Sequence, residues 1–182
     1  MLRIPRWASW AGIAAFIIEI TGKISPHPRP IITIALGQFQ LRKNSIHGME
    51  HWRRVEKLGL MLAKKTGADK RVISLFAYLH DCKRENEFTD SGHGARAADF
   101  VRKLYKQGKI RVSEKQLEQL SYPCCHHSEP DSKSDDITVM TCWDADRLDL
   151  RRVGETPDPA RLNTDAARDP SMIEHSCEIS KP

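Results

Sequence analysis

His80 and Asp81 place an imidazole and a carboxylate side by side at the end of a strongly apolar run, LFAYLHD, residues 75–81. Two cations, Lys83 and Arg84, follow almost at once. Neutral imidazoles and carboxylates form the ligand set that borderline divalent metals such as zinc, manganese, iron, cobalt and nickel accept. The stretch therefore predicts a metal-binding site at the end of a buried helix, with cations close by for an anionic substrate.

Other residues that could complete such a site are concentrated in the middle of the chain. Six of the eight histidines lie between residues 47 and 127, and an acidic cluster follows them. Ligands drawn from separate helices can meet only in the core of a helical bundle, where metal sites on such scaffolds are commonly built. The candidate histidines are His47, His51, His80, His93, His126 and His127, and the acidic candidates besides Asp81 are Asp144, Asp146 and Asp149.

Apolar residues recur with helical spacing in five segments that carry these candidates. Asn44 or Ser45 is expected to cap the first of the five segments, and Gly67 is expected to end it. Ser113 and Gln116 predict a capping box at the start of the fourth. The sequence contains no strand pattern, no repeat and no glycine-rich phosphate loop. It therefore predicts an all-α bundle of about five core helices.

Composition divides the chain into three parts. Residues 1–43 are expected to form an irregular N-terminal appendage, because SPHPRP at residues 25–30 must break any helix. Residues 44–153 form the predicted helical domain. Residues 154–182 are rich in proline, aspartate and serine and predict a loosely ordered C-terminal extension.

The N-terminal residues contain an apolar stretch from Trp7 to Ile18 that resembles a weak signal peptide. Glu19 interrupts this stretch, and no clear cleavage site follows it. The stretch is also short for a membrane span. A packed or surface-lying helix is therefore favoured over export, and contact with a membrane is not expected.

The overall composition is that of a soluble single-domain protein of 182 residues, with 40% hydrophobic and 29% charged residues. A formal net charge of +5 suits anionic small substrates, but it is not the concentrated basic stripe of a dedicated nucleic-acid binder. Five cysteines without a CxxC pair disfavour a disulfide framework or a zinc ribbon. A reducing, cytoplasmic location is the expectation. The oligomeric state is not indicated.

The ordered set of His51, His80-Asp81 and Asp146 resembles the H…HD…D signature of the HD-domain metal-dependent phosphohydrolase superfamily. Three local stretches resemble its motifs: HWRRV at 51–55, LFAYLHDCKR at 75–84 and WDADRLDL at 143–150. The resemblance covers about residues 45–152 and implies an HD-domain-like fold. It also favours Asp146 over Asp144 as a ligand. Arg84 stands where many members of the superfamily carry a lysine.

The resemblance implies one or two divalent transition metal ions (manganese, iron, zinc, cobalt or nickel). Asp81 would ligate the first ion and bridge to a second if one is present. His93 is the expected ligand of that second ion, together with His127, although His126 competes with its neighbour for this place. The full implied metal set is His51, His80, Asp81, Asp146, His93 and His127.

The resemblance further implies hydrolysis of a phosphate ester or anhydride by a metal-activated water, with a nucleotide as the expected substrate. Asp81 would act in the reaction as a ligand, and Lys83, Arg84 and Arg147 would neutralise charge on the phosphoryl oxygens. His47, His126 and Asp149 are assigned to substrate contact or to support of the ligands.

Other interpretations of the same residues stay open at this point. A di-iron oxygenase on the same scaffold, or a non-catalytic metal-binding regulatory module, would use a similar ligand set. Each histidine could instead be a hydrogen-bonded core residue, and Asp146 could pair with an arginine on a solvated face. Cys124 and Cys125 lie beside histidines, but buried structural cysteines are commoner than nucleophiles.

Overall fold

The structure, a computed structural model, describes residues 29–42, 44–129 and 132–180. Every regular element within these ranges is a helix, which confirms the predicted all-α class. The α-helices are α1 (Arg29–Leu36), α2 (Met49–Thr66), α3 (Lys70–Leu79), α4 (His93–Lys106), α5 (Glu114–His126), α6 (Ile137–Arg147), α7 (Asp165–Arg168) and α8 (Pro170–Ile179). Short 3-10 helices span Leu148–Val153 and Pro159–Arg161.

Helix α3 lies at the centre of the bundle formed by α2 to α6, the five predicted core helices. Seven of its ten residues are buried, and it packs against α1, α2, α5 and α6. A short helix that is apolar on nearly all sides is stable only where neighbours cover it completely. The end of α3, where His80 and Asp81 lie, is therefore held from several directions.

The ends of the helices agree with the predicted caps, with one exception. Gly67 ends α2 in the left-handed conformation at φ 77°, and Ser113 and Gln116 form the predicted capping box. Helix α2, however, begins at Met49, after an N-cap at Gly48, so the prediction of Asn44 or Ser45 as its cap was wrong.

Ser45 organises the turn before α2 instead of capping the helix. Its hydroxyl donates to the Glu87 carboxylate over 3.0 Å and accepts from the backbone N–H of His47. His47 consequently lies in this turn and not on the first turn of α2.

The C-terminal segment differs from the loosely ordered extension that its composition predicted. Leu162, Ala167 and Met172 are buried in a second apolar cluster together with Leu58 and Leu62 of α2. Aspartate and threonine residues in this segment act as helix caps, so polar residues typical of disorder here begin short helices. Residues 154–180 are thus part of the folded body.

Residues 29–36 also belong to the folded body, because Ile31 and Ala35 of α1 are buried in the main core. The predictions about the apolar stretch at residues 7–18 lie outside the described residues. None of the helices in the described part of the chain is long and apolar enough to cross a membrane.

Gly94 lies where the backbones of α4 and α5 approach each other closely. An added Cβ there would collide with the backbone carbonyl of Cys125 and lie 2.9 Å from that of Cys124. We expect Gly94→Ala to lower the free energy of unfolding by about 1–3 kcal/mol in urea denaturation, because neither backbone can give way easily. Gly37→Ala is the control, since its Cβ would meet nothing closer than 3.5 Å. Equal stability of the two variants would contradict the close approach of the helices.

Candidate metal centre

Four buried histidines form two pairs whose Nε2 atoms face each other. The Nε2 atoms of His51 and His80 lie 3.1 Å apart, and those of His93 and His127 lie 2.8 Å apart. All four residues are at most 6% exposed. His51 lies on α2, and His93 is the first residue of α4. His80 directly follows α3, and His127 directly follows α5.

The other ring nitrogen of each first-pair histidine has an acceptor as its partner. His51 Nδ1 lies 2.7 Å from the carboxylate of Asp149, and His80 Nδ1 lies 3.1 Å from the carbonyl of Phe76. A carbonyl or an ionised carboxylate can only accept, so Nδ1 carries the proton and Nε2 carries a lone pair. Burial lowers the pKa of His80 to about 3, which keeps this ring neutral.

The second pair is arranged in the same way. His127 Nδ1 lies 2.9 Å from the carbonyl of Cys124, and His93 Nδ1 contacts the carbonyl of Asp90. Arg84 also donates toward His93 Nε2 over 3.3 Å, and a guanidinium has no acceptor, so this Nε2 is unprotonated.

Two lone pairs at such short distances repel each other unless a cation lies between them. Burial lowers the pKa of His127, but Asp81 outweighs burial and raises that pKa above its ordinary value. In the second pair, the cation between the two Nε2 atoms can therefore be a proton. A metal ion would serve both pairs, because neutral imidazole Nε2 is the commonest protein ligand of zinc and related metals. The donor set therefore fits divalent transition metals.

Asp81 lies between the two pairs and turns one oxygen toward each. Its Oδ2 is 3.7 Å from the Nε2 atoms of both His51 and His80, and its Oδ1 is 3.3 Å from those of both His93 and His127. Burial raises the pKa of this carboxyl, but the surrounding histidines outweigh burial and hold the pKa well below its usual range. Asp81 is therefore an ionised carboxylate that both groups of ligands share.

Asp146 completes the first group. Its Oδ1 lies 3.3 Å from His51 Nε2 and 3.7 Å from His80 Nε2. Burial raises the pKa of Asp146, but the neighbouring His51 and His80 outweigh burial and hold that pKa far below its usual range. Asp144 instead points away and accepts hydrogen bonds from the backbone N–H groups of Asn163 and Thr164.

The structure thus brings together all six side chains that the sequence predicted as metal ligands. Three overlapping sets of donor atoms, each within 4.8 Å of one another, cover these side chains. They are His51, His80 and Asp81; His80, His127 and Asp146; and Asp81, His93 and His127.

The two histidines assigned to supporting roles lie in different surroundings. His126 is partly exposed, and its Nδ1 lies 2.7 Å from the carboxylate of Glu129. The structure therefore distinguishes His127 from His126, which the sequence could not do. His47 Nδ1 lies 3.0 Å from Asp81 Oδ2, so this histidine borders the first group.

Asp149 orients His51 from behind. Its carboxylate is completely buried and, besides His51, accepts from Arg54 over 2.6 Å and from the Ser180 hydroxyl over 2.5 Å. Burial raises the pKa of Asp149, but its hydrogen bonds from His51 and Arg54 lower it below its ordinary value. Arg54 was missed in the sequence, although its place three residues after His51 puts it on the same helix face.

The predicted oxyanion partners occupy three different places. Arg84 lies beside the second group, with its Nη1 atom 3.5 Å from Asp81 Oδ1. Lys83 points toward α1, where its Nζ donates to Gln38 over 3.1 Å. Arg147 donates to two backbone carbonyls, that of Arg161 over 2.7 Å and that of Glu129 over 2.9 Å. Substrate contact by these three cations stays a prediction.

A cavity of about 450 Å³ opens beside Asp146 and His127, on the side of the C-terminal segment. Besides Asp146 and His127, three arginines and three further acidic residues line it. They are Arg147, Arg152, Arg161, Glu129, Glu155 and Asp158. The cavity is of the size that small-molecule sites commonly have.

The thiols that lie near the ligands are buried and unreactive in character. Burial raises the pKa of Cys82 to about 12, and it raises that of Cys124 well above its ordinary value. A thiolate is the nucleophilic form, so these surroundings disfavour a cysteine nucleophile.

Solved structures with the same fold are known. A predicted HD superfamily hydrolase from an uncultured Thermotogales bacterium aligns with a TM-score of 0.65 at 25% identity, over 89% of this chain and 91% of that protein. A protein from Lactobacillus plantarum aligns with a TM-score of 0.57 at 22% identity, over 84% of this chain and 90% of that protein. At this identity the likeness supports the fold and not a function. Comparison with protein-family models and with curated proteins gives no match.

The helical fold and the order of the clustered ligands along the chain, His51, His80-Asp81 and Asp146, support a place for this chain in the HD-domain superfamily. The resemblance predicted from the motifs is thereby confirmed. The clustered histidines and aspartates are consistent with a divalent metal.

Asp149 offers a test of the ligand network, because it holds His51 without facing the metal groups. We expect Asp149→Asn to weaken Mn(II) or Zn(II) binding about 10- to 100-fold, the effect usual for partners of metal-ligating histidines. Competition with a fluorescent chelator measures the affinity. Asp99→Asn is the control, since the Asp99 side chain is 82% exposed. Unchanged affinity in Asp149→Asn would show that the orientation of His51 does not matter.

Proposed function

We propose that this protein is a metal-dependent hydrolase that cleaves a phosphate ester or anhydride, with a nucleotide as the expected substrate. One observation carries the proposal: the Nε2 atoms of each histidine pair face each other and one oxygen of Asp81. A cation bound to each pair would stabilise this arrangement. The Thermotogales protein of the same fold is described as a predicted hydrolase, which supports the class of reaction.

The proposal includes two divalent ions per chain. His51, His80, Asp146 and Oδ2 of Asp81 would hold the first, and His93, His127 and Oδ1 of Asp81 would hold the second. Bound divalent ions supply Lewis acidity to phosphoryl oxygens and make water more acidic. The two carboxylates lower the net charge of such a centre, and the neutral imidazoles fix its position.

The residues around the ligands suit an anionic substrate. Arg84 lies beside the second group and can donate to a phosphoryl oxygen in a bidentate way. His47 donates from Nδ1 to Asp81 and so fixes the orientation of the shared carboxylate. Phosphoryl transfer depends mainly on positioning and charge neutralisation, which these groups provide.

The cavity supports a small organic phosphate over a polymer. Its volume of about 450 Å³ suits a small molecule, and its three arginines, which lie among four acidic residues, can donate to phosphoryl oxygens. The net charge of +5 favours the approach of an anion. Among organic phosphates, a nucleotide is the proposed substrate because the superfamily motifs imply one.

Phosphate release from a panel of nucleoside mono-, di- and triphosphates tests the proposed reaction, with Mn(II), Fe(II), Co(II), Ni(II) or Zn(II) added in turn. We expect activity that a chelator abolishes. Asp146→Asn should lower kcat/KM by more than about 100-fold, because it removes a charged ligand that directly faces the first histidine pair.

Asp135→Asn is the control for this measurement, since Asp135 is an exposed carboxylate just before α6. Equal loss in both variants would contradict the assignment of Asp146. Oxygen consumption by an iron-loaded protein without phosphate release would contradict the hydrolase and identify the alternative, a di-iron oxygenase.

A further inference from the structure

The C-terminal segment forms one wall of the cavity beside the metal ligands. The turn after the first 3-10 helix contributes Glu155 and Thr156, and the 3-10 helix Pro159–Arg161 contributes Arg161. Asp146 and His127 line the same cavity from α6 and the end of α5. A molecule bound at the ligands is therefore bordered by Arg161.

The position of this wall is fixed by the helix that carries Asp146. Asp144, completely buried on α6, accepts from the backbone N–H groups of Asn163 and Thr164 over 2.7 and 2.8 Å. Arg147, the residue after Asp146, donates to the carbonyl of Arg161 over 2.7 Å. Residues 161–164 are thus attached to both ends of a four-residue stretch with Asp146 inside it: Arg161 to Arg147, and Asn163 and Thr164 to Asp144.

The three arginines of the cavity differ in what they contact. Arg147 donates to two carbonyls, and Arg152 donates to the carbonyls of Ile46 and Asp149. The guanidinium of Arg161, by contrast, is exposed and makes no hydrogen bond or ion pair with any residue that the structure describes. Glu155 and Asp158 lie on the same wall, and neither is paired with it.

We propose that Arg161 is a specificity residue that binds a second anionic group of the substrate. This inference rests on the proposed function, in which the first phosphoryl group lies at the metal ligands. The substrate class is then an organic phosphate with two neighbouring phosphoryl groups, such as a nucleoside diphosphate or triphosphate. A guanidinium on a fixed backbone can bind phosphate through two parallel hydrogen bonds.

Two phosphonates test this proposal without any dependence on turnover. Methylenediphosphonate carries two phosphoryl groups, methylphosphonate carries one, and neither contains a P–O–P or P–O–C bond to hydrolyse. Isothermal titration calorimetry on the full chain loaded with Mn(II) gives both affinities. We expect Arg161→Gln to weaken diphosphonate binding about 10-fold and methylphosphonate binding less than about 2-fold, since one charge-assisted contact is lost.

Two further variants make the result specific. Arg161→Lys should recover part of the diphosphonate affinity, because it keeps the charge but loses the bidentate geometry. Arg102→Gln removes an equally charged arginine on α4, whose partner is the exposed Asp99, and should change neither affinity.

Equal weakening of both phosphonates in Arg161→Gln would overturn the inference, since it would indicate a general charge effect. Unchanged diphosphonate binding would also overturn it. Failure of the proposed function would differ from both results: a wild-type protein that holds Mn(II) would bind neither phosphonate and release no phosphate from nucleotides.

Discussion

The structure depends on one electrostatic constraint: four buried imidazoles turn their Nε2 atoms toward one another and toward a single carboxylate. Each Nδ1 faces an acceptor, which orients the ring, so the Nε2 atoms of His51 and His80 approach to 3.1 Å as lone-pair carriers. Such an arrangement is unfavourable without a cation. The bundle around it is consistent with this need, because α3 is buried from several sides and places Asp81 between the pairs.

The stretch from Asp144 to Asp149 connects the metal ligands with the rest of the molecule. Asp146 faces the first histidine pair, Asp149 orients His51, and Asp144 holds the C-terminal segment against α6. The ligand Asp146 therefore lies between two aspartates, Asp144 and Asp149, that fix the surrounding structure. The same stretch accounts for the cavity, because Arg147 joins two of its walls.

Much of this could be predicted from the sequence, because the HD pair ends an apolar helix and the remaining ligands follow in a recognisable order. His126 and His127 could not be separated, since adjacent helical residues point about 100° apart and the sequence alone does not fix which of the two directions faces the core. The C-terminal segment was misjudged because composition reports its low apolar content but not that Leu162 and Met172 are buried. The supporting role of Ser180 depends on that distant packing and left no local signal.

The most direct test is the metal content of the purified full chain, measured by mass spectrometry after loading with Mn(II) and removal of free ion. The account predicts about two ions per chain in the wild type, about one in His93→Ala, and none retained in Asp81→Ala, because Asp81 turns one oxygen toward each group. Two ions retained in Asp81→Ala, or none in the wild type, would contradict the account.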